Sequence, residues 1–135
     1  MRVLLISLIL IYSYHANTKA ANEPQWIELS MSGNLTAAIF PQDNETIIGQ
    51  YHNWVIKLND QNGVHIEDAL FSIGGGMEGH GHGLPSQPIV TSYLGEGQYL
   101  IEGMLFNMAG DWTLLFLVQT PSLSEKIRFD FELQF

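Results

Sequence analysis

The 135-residue chain has no cysteine, so neither a disulfide framework nor a thiolate metal site is available to it. Basic residues are scarce: five Lys and Arg stand against fourteen Asp and Glu. Two of the five, Arg2 and Lys19, lie in the first twenty residues, and beyond them only Lys57, Lys126 and Arg128 remain, a net charge of about −11 with His neutral. Nucleic acid is excluded as a partner, because its binding draws most of its affinity from Lys and Arg at phosphates. Anionic membrane surfaces are disfavoured for the same reason, whereas cationic partners, metal ions included, are not. No stretch carries the 3.6-residue apolar period of an amphipathic helix. There is also no Gly-x-Ser-x-Gly elbow and no phosphate loop, and adjacent acids such as Glu67 and Asp68 fall on opposite faces of an extended chain. The sequence is therefore read as that of a non-enzyme.

One apolar run is present, at residues 3–11, preceded by Arg2 and followed by small residues at Thr18-Lys19-Ala20-Ala21. It is about half the length needed to span a bilayer. A charged start, a short apolar centre and a small-residue exit are the features of a secretory signal. The reading is a signal peptide over residues 1–20 and one domain over residues 21–135, exported to the periplasm or secreted, without a stable membrane anchor.

The remainder reads as strands between turns. Residues 26–31, 35–40 and 47–58 are strand candidates separated by Ser32-Gly33-Asn34 and Pro41-Gln42-Asp43-Asn44-Glu45. Residues 64–73 follow with an irregular pattern that a bulge near Asp68 would reconcile. Residues 88–94 and 98–106 flank Gly95-Glu96-Gly97 as an antiparallel pair, and residues 112–119 form a strongly apolar central strand. The clearest two-residue period is the last: Ile127, Phe129, Phe131, Leu133 and Phe135 inward, Arg128, Asp130, Glu132 and Gln134 outward. Seven to eight strands with turn-rich connections predict an all-β fold, an immunoglobulin-like antiparallel β-sandwich, with a small barrel second.

Between two strand candidates lies Gly74-Gly75-Gly76-Met77-Glu78-Gly79-His80-Gly81-His82-Gly83-Leu84-Pro85, read as a loop with little apolar mass to bury. Alternate residues of an extended segment share a face, so His80 and His82 can address one ion while the intervening glycines let the backbone approach. Imidazole suits copper, zinc or nickel, and a thioether suits Cu(I). Met77 reaches the site if the glycine run curls back, and Met108, from the connection near residues 107–111, completes a His/Met set. Copper is the favoured ion and zinc the alternative. Met104 reads as core, Glu78 as a solvated acid, His65 as solvated, and His52 as remote. The competing reading keeps the same loop without metal: an interaction module whose histidines bond backbone carbonyls and whose loop meets an exported or membrane protein partner.

The block Gly79-His80-Gly81-His82-Gly83-Leu84-Pro85-Ser86-Gln87-Pro88, followed by residues 95–108 and Gly110-Asp111-Trp112, resembles the YtkA-like or FixH-like group of small exported bacterial proteins. The resemblance spans roughly residues 54–118. It implies an immunoglobulin-like sandwich outside the cytoplasmic membrane and a role in copper handling or in assembly of copper-containing oxidases.

Overall fold

The computed structural model describes residues 25–43 and 45–134. The expected signal segment, residues 1–20, and the inward position expected for Phe135 lie outside the described residues. Among the described residues, nine strands form two antiparallel sheets: β1 (Trp26–Leu29), β2 (Leu35–Pro41), β3 (Tyr51–Asp60), β4 (Leu70–Met77), β5 (His82–Gly83), β6 (Ile89–Gly95), β7 (Gln98–Leu105), β8 (Gly110–Gln119) and β9 (Ser124–Leu133). The first sheet has the order β1-β2-β3-β7-β6 and the second β5-β4-β8-β9. The arrangement is that of a β-sandwich. The strands exceed the expected seven to eight because β5, only two residues long, arises inside the segment read as a loop.

The core lies between the sheets and follows from strand alternation. Leu35, Ala37 and Ile39 on β2, with Trp54, Ile56 and Leu58 on β3, face Leu114, Phe116 and Val118 on β8 and Ile127, Phe129 and Phe131 on β9, all buried. The alternation expected for β9 holds at every described position, and it extends back to a buried carboxylate, Glu125. Glu125 sits where the sandwich meets the β1–β2 turn, and its Oε1 accepts hydrogen bonds from Ser32 Oγ at 2.5 Å and Asn34 Nδ2 at 3.0 Å. Those two bonds, Ser32 first, hold its carboxyl below the usual carboxylate range.

Two strand expectations are corrected. Residues 64–69 are not a bulged part of β4. Tyr99 on β7 pins this crossing from inside, its hydroxyl donating to Ile66 O at 2.8 Å and accepting from Ala69 N at 3.1 Å. Burial beneath the crossing pushes the Tyr99 phenol pKa up. At the other end β4 runs on through Gly74, Gly75 and Gly76 to Met77, paired in continuous register with β8 from Leu70↔Gln119 to Gly76↔Thr113.

Glycine is required there by close approach, not by a turn. Gly75 and Gly76 have φ of 138° and 152°, and a Cβ at Gly75 would run into the Thr113 carbonyl oxygen while one at Gly76 would meet the His82 carbonyl oxygen. The glycine run thus lets β4 lie tightly between β8 and β5.

At one end of the sandwich the inner side chains are aromatic. Phe106 packs on Trp54 (ring centroids 5.6 Å apart), on Phe131 (5.7 Å) and edge-on against Trp112 (5.0 Å), while Trp26 stacks on Trp54 at 5.4 Å. Through Trp112 this cluster forms an aromatic floor next to the β4–β5 connection.

Candidate metal centre

The segment from Met77 to Gly83 is a hairpin. Met77 ends β4, a 3-10 turn occupies Glu78–His80, Gly81 takes the left-handed conformation at φ 68°, and His82 begins β5 directly opposite Met77. The turn closes with the Gly81 N–H donating to Glu78 O at 3.1 Å. Met77 therefore does not curl back towards His80 as expected. It reaches the neighbourhood through cross-strand pairing with His82, because directly opposed residues share a face of the ladder.

The sulfur side chains occupy the inner side of this hairpin. Met77 is buried, 1% exposed, and its methyl occupies the space above Gly110, where a Cβ would lie 2.9 Å from Met77 Cε. Met108 is half-buried against the core on the β7–β8 connection, and the Trp112 indole N–H fixes that connection by donating to Met108 O at 3.0 Å. The His82 and Met108 side chains are in contact. His82 also meets Trp112 edge to face, ring centroids 5.9 Å apart.

Both imidazoles are exposed. His82 Nδ1 lies 2.9 Å from Gly83 O. A carbonyl can only accept, so Nδ1 carries a proton, and in the neutral ring Nε2 then keeps its lone pair, the form in which imidazole binds metals. The His80 and His82 ring centroids are 6.1 Å apart. With metal–nitrogen distances of about 2.0–2.1 Å and the ring centre about 1.15 Å beyond the nitrogen, two rings on one ion have centroids at most about 6.4 Å apart, so the observed spacing is near the open limit of a shared site.

Other expected assignments fall as follows. Met104 is fully buried in the core. His52 is bound through Nε2 to the Ile47 backbone, and His65 Nδ1 is 2.7 Å from Asn59 Oδ1. Glu78 is exposed but not free: Arg128 Nη1 donates to its Oε1 at 2.8 Å. The same guanidinium donates through Nε to Asp130 Oδ2 at 2.7 Å and through Nη2 to Thr113 Oγ1 at 3.0 Å, while Thr113 Oγ1 donates to Asp130 Oδ1 at 2.6 Å. Bonds to Asp130 and then Glu78 push the Arg128 pKa up. Those from Arg128 and then Thr113 hold the Asp130 carboxyl below its ordinary range. Among the described residues, no group of three His, Asp or Glu side chains converges to hold an ion.

Sequence reasoning missed Trp112, Gly110 and Arg128 as parts of this region. Trp112 and Gly110 stand in the block that carried the family resemblance, whereas Arg128 lies on β9 and reaches the loop only through the packing of β4, β8 and β9.

A small two-sheet β module with an imidazole and thioether loop over an aromatic floor is the class defined by these observations. The family model described as YtkA-like matches residues 31–115, and the chain belongs to that family. Its members are small exported modules without catalytic activity, and the protein is accordingly not an enzyme. No curated protein and no solved structure matches the chain.

Proposed function

We propose that the protein binds copper outside the cytoplasm through His80, His82, Met108 and Met77 and stores it or hands it on. The contact between His82 and Met108 carries this reading, since it puts an imidazole with a free Nε2 beside a thioether. The available donors are few, soft and neutral, a set that suits Cu(I) better than Zn(II) or Cu(II). His80 supplies the second nitrogen by a small closure of the turn from its 6.1 Å spacing, and Met77 forms the inner wall. Exposure of both histidines leaves the ion accessible to an acceptor protein, as a delivery role requires.

The rest of the organisation follows the same reading. Residues 1–20 act as a secretory signal and residues 21–135 form an immunoglobulin-like domain in the periplasm or outside the cell. Among the described residues no helix is long and apolar enough to cross a membrane. Intact-mass analysis of exported protein should place the N-terminus near Ala21 or Asn22, and retention of residues 1–20 would contradict it.

The test of function is a titration of metal-free protein with Cu(I), Cu(II) and Zn(II), each against a competing chelator. Cu(I) should bind most tightly. Negligible affinity for all three, with a partner protein still captured through the loop, would instead favour the metal-free interaction module.

A further inference from the structure

Glu78 occupies a boundary. It lines a hollow shared with Gly76, Met77 and His82, and it also lines the adjoining hollow with Trp112, Thr113 and Arg128. A carboxylate so placed can turn to either side. In the structure it turns to Arg128, at 2.8 Å. An exposed ion pair is weak by itself. Here, however, the guanidinium is aimed by its other bonds, to Asp130 at 2.7 Å and to Thr113 at 3.0 Å, so its planar fork points Nη1 at the turn. Thr113 is itself fixed, being buried and paired in register with Gly76.

The consequence for chemistry is a choice of donor. Carboxylate oxygen is a hard ligand that favours Zn(II) and Cu(II), whereas imidazole with thioether favours Cu(I). We propose that Arg128 sets the metal selectivity of the loop by holding the Glu78 carboxylate away from His82, keeping the donor set free of hard oxygen. This rests on the copper reading above and adds a specificity-determining residue that touches no ion.

The experiment compares Zn(II) and Cu(I) affinities, by chelator competition, in the wild type, Arg128→Gln, Glu78→Gln and the double variant. Arg128→Gln releases Glu78 and should raise Zn(II) affinity relative to Cu(I) by about tenfold, the scale of outer-sphere effects on metal sites. Glu78→Gln alone should keep the wild-type ratio, and the double variant should return to it, which a general loosening of β9 would not do. A ratio unchanged in Arg128→Gln, or a shift that persists in the double variant, would overturn the proposal while leaving the copper site in place. Failure of the wild type to bind Cu(I) would remove the copper reading and this inference together.

Discussion

Met77 and His82 face each other across the β4–β5 hairpin, so the register of a two-residue strand fixes a buried thioether behind an exposed imidazole. That register depends on backbone contact at Gly75 and Gly76, where side chains of any size would strike carbonyl oxygens. The loop is thus positioned by the sheet, as a site on a rigid element, rather than by its own side chains.

Gly75→Ala should therefore destabilise the domain by about 1–3 kcal/mol, from the strained φ together with the clash at Thr113 O. Gly79→Ala, one turn further on, meets nothing within 4 Å and should remain near wild type. Urea unfolding of the two variants checks this, and equal midpoints would show that the glycine run is not held by close packing.

Phe131→Asp should unfold the domain or cost at least about 3–5 kcal/mol, because the ring packs on Trp26, Trp54 and Phe106 and a carboxylate would replace it there. Thermal or denaturant unfolding measures the loss. Wild-type stability would place Phe131 outside the core.

Residues such as Phe131 were legible from sequence because one face of β9 meets solvent, so burial is written as alternation from Ile127 to Leu133. The same rule misleads where burial has another origin. Gly74 to Gly76 have no side chains with which to show a period, so the end of β4 reads as loop, although its pairing with β8 is continuous. Along residues 26–31 alternation names two faces without saying which is inside: Trp26 packs on the core and Ser30 is buried, while Ile27, Leu29 and Met31 are exposed. The site divides likewise. His80 and His82 stand two apart in sequence and are visible as a pair, and Met108 is expected beside them, whereas Trp112 and Arg128 come from strands that only sheet order brings to the hairpin.

The Glu125 carboxyl yields a pH dependence. Its folded-state pKa is depressed by the bonds from Ser32 and Asn34, so the stabilisation is fully present above the unfolded carboxylate value, near about 4.3, and is lost as pH falls through the lower folded-state value. Urea midpoints at pH 5 and pH 3 should differ less in Glu125→Gln than in wild type. Identical pH dependence in the two proteins would show that Glu125 does not contribute.

The copper site itself is tested most directly by Cu(I) affinity under strictly reducing conditions, measured for the wild type, the His80→Gln/His82→Gln pair and Met108→Ala. Both variants should bind Cu(I) more weakly, the histidine pair most. Met108→Ala should leave Zn(II) affinity close to wild type, because zinc does not depend on thioether sulfur. Acidification should also weaken the wild type, as protons compete for the imidazole nitrogens. Indistinguishable Cu(I) affinities in the three proteins would contradict the account.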